Sequence, residues 1–176
     1  MHTKLNYAET ADLFSTIAQN HKTIKYFVET DLQNIKDVVK TAAPALLYSG
    51  FRENMYGYRS ANNQSGKRIH FAVVQRQSTK SRTVKSKHQL IDECREMAID
   101  VITWLRREKL QNRLNGFDPN SVDDGEAIIL KDDGFIGWEV GILINTPVNL
   151  AFDATKWNIE DGNTTCIYAN SHIGPR

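Results

Sequence analysis

Residues 86–107 read SKHQLIDECREMAIDVITWLRR, and the spacing inside this stretch decides the fold class. Leu90, Cys94, Met97, Val101 and Trp104 recur at alternating intervals of four and three. Ile91, Ala98, Ile102 and Leu105 widen that stripe, while Asp92, Glu93, Arg95, Glu96 and Asp100 project elsewhere. This is the 3.6-residue period of an amphipathic α-helix. Ser86 followed by Gln89 is a capping-box pattern, in which a hydroxyl and a side-chain amide satisfy N–H groups at the start of the helix. The pattern predicts a helix over about 87–107. A coiled coil would need three or four heptads, and this stretch holds little more than two. Its apolar face is therefore expected to lie across a sheet.

The strands for that sheet flank the helix. Downstream, AIILKDDGFIGWEVGILINTP (127–147) reads as a β-hairpin: Asp132, Asp133 and Gly134 supply a turn whose glycine can take the left-handed conformation. The outgoing strand alternates Ile136, Trp138, Val140, Ile142 and Ile144 on one face, with Gly137 and Gly141 on the other beside Phe135, Glu139 and Leu143. Glycine inside a strand is costly unless something approaches the backbone closely, so that second face is expected to meet a neighbouring chain or the protein's own tail. Upstream, RIHFAVVQ (68–75) places Ile69, Phe71 and Val73 on one face. Before it come ALLYSGF (45–51), read as a strand after Pro44, and RENMYGYRS (52–60), read as a further strand leading to the turn ANNQSGK (61–67).

Nearer the N-terminus, NYAETADLFSTIAQ (6–19) pairs Asn6 with Glu9 in a capping box ahead of Leu13, Phe14, Ile17 and Ala18. TIKYFVET (23–30) is β-branched and aromatic. Thr30 and Gln33 then open a second helix carrying Leu32, Ile35, Val38 and Val39. The expected architecture is α+β: a mainly antiparallel sheet of four to five strands, with the long helix and shorter helices packed on one face. Residues 1–146 are expected to form one domain and residues 147–176 an extended arm, with a short strand around Thr165 to Tyr168. No stretch of about 18 apolar residues suggests a membrane span, and the N-terminal residues lack the apolar core of a secretory signal.

Chemistry-bearing motifs are scarce. Cys94 lies on the apolar stripe and Cys166 in a polar tail, so both read as free thiols. The histidines at 2, 21, 70, 88 and 172 show no HExxH or HxH spacing, and there is no Gly-x-Ser-x-Gly elbow. His70, on a strand, reads as structural. Acidic groups at Asp123, Asp124 and Glu126, at Asp132 and Asp133, and at Glu160 and Asp161 sit beside glycines. They read as turn residues capping local backbone N–H groups, not as a Ca²⁺ loop. The sequence predicts neither metal nor cofactor, and no enzyme.

Charge is more informative. Residues 54–91 hold eight Lys or Arg and no acid, while residues 114–163 hold ten acids against Lys131 and Lys156; the chain nets only +1. The densest basic run, QRQSTKSRTVKSKHQ (75–89), contains no aromatic. A nucleic-acid grip through Arg76, Lys80, Arg82, Lys85 and Lys87 would usually bring an overall basic excess and interleaved aromatics. Segregated but cancelling charge fits complementary contacts better. Either the two segments neighbour each other within one chain, or the basic loop of one copy meets Asp123, Asp124, Asp132 and Asp133 of the next. The loop is thus read as a protein-docking element, with nucleic-acid binding and a small enzyme without a recognisable motif as the alternatives.

Taken together, RIHFAVVQRQSTKSRTVKSK, HQLIDECREMAIDVITWLRREKL and GFIGWEVGILINT follow a helix-led N-terminal part. This order resembles the tail terminator and related tail-completion proteins of tailed bacteriophages over roughly Ala8 to Thr146. The resemblance implies a non-enzymatic virion subunit, made in the host cytoplasm. It would assemble as a hexameric ring that caps the tail tube and docks to the head connector. The helix from Leu32 to Val39 and the C-terminal arm of about thirty residues stand outside it.

Overall fold

The computed structural model describes residues 6–30, 43–56, 64–77, 85–130 and 134–147. Helix α1 (Tyr7–Asn20) starts at the Asn6 cap, whose side chain accepts from the Glu9 N–H at 2.9 Å while the Glu9 carboxylate accepts from the Asn6 N–H at 2.8 Å. Strand β1 (Tyr26–Glu29) follows, then β2 (Ala45–Tyr56) and β3 (Gln64–Arg76). Helix α2 (Lys87–Leu110) carries the expected Ser86–Gln89 capping box, and a single turn of 3₁₀-helix (Pro119–Ser121) precedes β4 (Glu126–Leu130) and β5 (Phe135–Pro147). The five strands form one sheet in the order β1-β2-β3-β5-β4. Only β1 and β2 run parallel; the other pairs are antiparallel. The fold is α+β.

A parallel pair needs a crossover of about a dozen residues or more. The helix expected from Leu32 to Val39 falls in that connection, outside the described residues, as do the arm from 148 onward with its expected strand and Cys166, and residues 57–63 between β2 and β3; residues 64–67, read as part of a turn, are instead paired strand at the start of β3.

The two described helices pack on the same side of the sheet, α1 over β1 and β2, and α2 over β3 and β5. From α1 come Phe14 and Ile17, and from α2 Cys94, Met97, Val101 and Leu105. They meet Leu46 and Tyr48 of β2, Ile69, Phe71 and Val73 of β3, and Val140, Ile142 and Ile144 of β5. Phe14 stacks on Tyr48 at 5.3 Å and tilts against Phe71 at the same distance. The buried Gln75 amide donates to Glu93 at 3.2 Å, tying the end of β3 to α2. Burial pushes the Cys94 thiol up to about 12, so this residue is core packing.

Trp104 departs from expectation. It is only partly buried at the margin of this core, with the Arg107 guanidinium 5.5 Å from its ring centroid. Its ring lies over the gap beside α1, whereas Leu105, one position further on, is fully buried in the core.

Strand β2 is one continuous element, not the two segments read from sequence. A bulge joins them: Tyr48 pairs with Phe71 and Phe51 with Ile69, so Ser49 and Gly50 together oppose His70. Gly50 takes a φ of +90°, which favours glycine. Because side chains alternate, the extra residue reverses the faces of everything after it. Leu46 and Tyr48 point toward the helices, then Phe51 does, and Arg52 is turned to the opposite side.

Candidate interaction surface

That opposite side of the sheet carries the polar site. On β3 the residues alternating with Ile69 and Phe71 are Arg68 and His70, and on β5 those alternating with Val140 and Ile142 are Glu139 and Gly141. The bulge sets Arg52 directly opposite Arg68. Two adjoining depressions share His70 and Glu139. One, of about 410 Å³, is lined by Ser49, Arg52 and Arg68; the other, of about 330 Å³, by Asp123, Asp124 and Glu126. Between them the His70 Nδ1 stands 3.8 Å from a Glu139 carboxylate oxygen. Farther along the same face lies a small apolar cluster that includes Leu47, Ala72, Val74 and Phe135.

The acidic side is built by the chain that leads into β4. Residues 116–123 lace themselves to the outer edge of β5 beyond the reach of β4. Asn145 N–H donates to the Gly116 carbonyl at 2.8 Å, Leu143 N–H to the Ser121 hydroxyl at 2.8 Å, and Asp123 N–H to the Gly141 carbonyl at 3.0 Å. One Asp123 oxygen accepts from Gly141 N–H at 2.7 Å and from Gly125 N–H at 3.3 Å. A Cβ on Gly141 would collide with the Asp123 carboxylate, so the close approach inferred from a strand glycine is real. Its cause is the chain's own loop, not a neighbouring chain or the tail. Gly137 is closed in a second way, against Val73 and Val74 of the paired strand.

Burial, reinforced by the charges of Glu126 and Asp123 and opposed by His70, holds the Glu139 carboxyl above the usual carboxylate range. On the helix side Glu93 shows the reverse. A 2.6 Å hydrogen bond from Lys85, helped by Gln75 and outweighing partial burial, holds it below that range.

The residues singled out from sequence do not form one site. Arg76 ends β3 with its guanidinium 5.9 Å from the centre of the Phe135 ring, Lys85 is paired to Glu93, and Lys87 begins α2. Lys80, Arg82, Asp132 and Asp133 lie outside the described residues. The described ends of the basic and acidic segments meet within one chain, where Gln77 N–H donates to the Gly134 carbonyl at 2.8 Å. Gly134 has the left-handed φ of +68° expected of it. Asp123 caps local backbone as a turn residue should, and Asp124 is exposed beside it.

Sequence reasoning missed Arg52, Arg68 and Glu139 as a group, and gave His70 only a structural reading. Strand parity could have placed Arg68, His70 and Glu139 together; Arg52 needed the bulge. Among the described residues no group of His, Cys, Asp and Glu is arranged to hold a metal ion, and no helix is long and apolar enough to cross a membrane. No family model matches the chain, and no curated protein matches it in sequence.

Proposed function

We propose that this protein is a non-enzymatic, self-assembling structural subunit, of the kind that forms a ring to cap the tail tube of a bacteriophage and to dock the head connector. One observation carries the reading. Among the described residues both helices lie on one face of the sheet, and on the other face, beside a buried apolar cluster, an exposed region presents charge sorted by sign, Arg52 and Arg68 on one side and Asp123, Asp124 and Glu126 on the other. A charge pattern of this kind gives specificity and steering to protein association. The order of elements, helix, strands, long helix and hairpin, agrees with the resemblance drawn from sequence. Two described cations of the basic segment are engaged inside the chain, Lys85 with Glu93 and Arg76 on Phe135, which leaves fewer of them for a grip on phosphates.

The test is light scattering and negative-stain microscopy of the purified protein, alone and with a tail-tube protein. Ring-shaped particles and tubes of limited length are expected. A monomer at all concentrations that leaves tube growth unchanged would overturn the reading.

A further inference from the structure

We infer that the exposed polar region on the second face of the sheet is a self-complementary docking surface for a second copy of this chain, with Arg52 and Arg68 of each copy receiving Asp124 and Glu126 of the other. The inference rests on the self-association reading above, but not on the kind of assembly the subunit serves.

The first ground is an unbalanced pair. Arg52 and Arg68 are direct cross-strand partners, both exposed, and like charges directly opposite one another weaken a sheet. Among the described residues neither forms an ion pair. The Ser49–Gly50 bulge is what brings Arg52 there, since uninterrupted alternation would have aimed it at the helices. Two guanidinium forks side by side suit carboxylates, which they can hold through paired N–H···O bonds.

The second ground is the matching surplus. Asp123 spends one oxygen on the backbone of Gly141 and Gly125, whereas Asp124 and Glu126 are exposed and form no ion pair among the described residues. A free phosphate would suit the arginines and leave these acids unanswered; a second copy of the chain answers both.

Geometry then fixes the symmetry. The basic and acidic depressions adjoin at His70 and Glu139 and open on the same side of the sheet, so one neighbour can span both. A two-fold axis passing near the His70–Glu139 pair lays each basic half over the partner's acidic half. Such an isologous contact closes on itself and joins two subunits, or two rings, face to face. A ring contact needs two different surfaces and runs elsewhere.

The experiment uses sedimentation velocity on three forms of the full chain: wild type, Arg52→Glu/Arg68→Glu, and Asp124→Arg/Glu126→Arg. All four positions are exposed, so melting curves should match the wild type and exclude misfolding. Wild type should pair, with an affinity that falls on the order of tenfold between low and high salt, as partly exposed ion pairs do. Each variant alone should lose the pair, and an equimolar mixture should recover it as a 1:1 heterodimer, because one variant is acidic throughout this face and the other basic. A mixture that stays unpaired overturns the inference. So do variants that associate as the wild type does, although rings persisting in both would leave the assembly reading intact. Inorganic phosphate bound by the wild type and lost in Arg52→Glu/Arg68→Glu, with no change of mass in either, would assign the arginines to a free anion and likewise overturn it.

Discussion

The two faces of this sheet are made by the same strands, one residue out of step, and they are built to opposite specifications. Ile69, Phe71 and Val73 on β3 are at most 1% exposed, while Arg68, next to Ile69 and paired with Arg52, is in solvent. On β5, Val140, Ile142 and Ile144 are packed under α2, and the interleaved Glu139 is a partly buried carboxylate beside two other acids. The helix side collects most of the apolar area, and a smaller buried cluster around Leu47, Val74 and Phe135 lies on the other face beside its charged region. The open side accepts a like-charged arginine pair and a carboxylate whose ionisation burial disfavours, neither of which helps the chain to fold. Local choices that work against stability are expected where a protein does something else, and here they are concentrated on one face.

The largest expected effect tests that division at adjacent residues. Phe71→Ala should cost about 3–5 kcal/mol, as removal of a buried aromatic ring does. His70→Ala, one residue away on the open face, should change stability by no more than about 0.5 kcal/mol. Denaturant titration of both variants measures the contrast, and comparable losses would break it.

Trp104 sharpens the boundary of the helix-side core. Because its ring lies at the margin and keeps part of its surface in water, Trp104→Ala should cost less than Phe71→Ala, about 2–3 kcal/mol. A loss equal to that of Phe71 would mean the ring is as deeply packed as its place in the heptad-like stripe suggested.

Next in size is the glycine that lets the acidic loop touch the open face. Gly141→Ala sets a methyl group against the Asp123 carboxylate and should cost about 1–3 kcal/mol by overpacking. Adding Asp123→Ala removes the collision together with its hydrogen bonds, so the double variant should lose less than the sum of the two single losses. Simple additivity would show that the two residues do not meet.

These contrasts separate what was legible in the sequence from what was not. Helix α2, its Ser86 cap and the hairpin were legible because each is a local pattern: a 3.6-residue stripe, a hydroxyl three residues from an amide, an alternation broken by Asp and Gly. The face shared by Ile69, Phe71 and Val140 followed from period-two alternation alone. The open-face site was not legible as a whole, because its four groups come from β2, β3, β5 and the loop before β4. Parity says that Arg68 and His70 share a side, but only the pairing register brings His70 beside Glu139. Arg52 was hidden more deeply, since one bulged residue reverses the meaning of every position after it and Ser49–Gly50 carries no unique signal of a bulge. The segregation of charge along the chain was real, but chain segments are not surface patches. The basic segment divides between Arg68 on the open face and Lys85 on the helix side, and the acidic segment between Asp123 and the turn that ends at Gly134.

The smallest effect is a difference of sign between two glutamates on opposite sides of the sheet. Glu139 titrates above the ordinary carboxylate range when folded, chiefly because it is buried. Between the ordinary value and the raised one the folded chain therefore binds more protons than the unfolded chain, and stability falls as pH rises through that window. The cost is complete at neutral pH. Glu139→Gln cannot ionise, so it should melt slightly higher than the wild type at pH 7, and the gap should close as pH drops below the ordinary carboxylate range. Glu93 titrates low because Lys85 donates to it; its contribution is present above the unfolded value and is lost as pH falls through the folded one. Glu93→Gln should therefore melt slightly lower than the wild type at pH 7 and converge with it in acid. Melting curves of the three proteins across this range read both signs in one experiment. If both Gln variants shifted the same way, the carboxylates would be responding to the overall charge of the chain and not to the two environments the sheet divides.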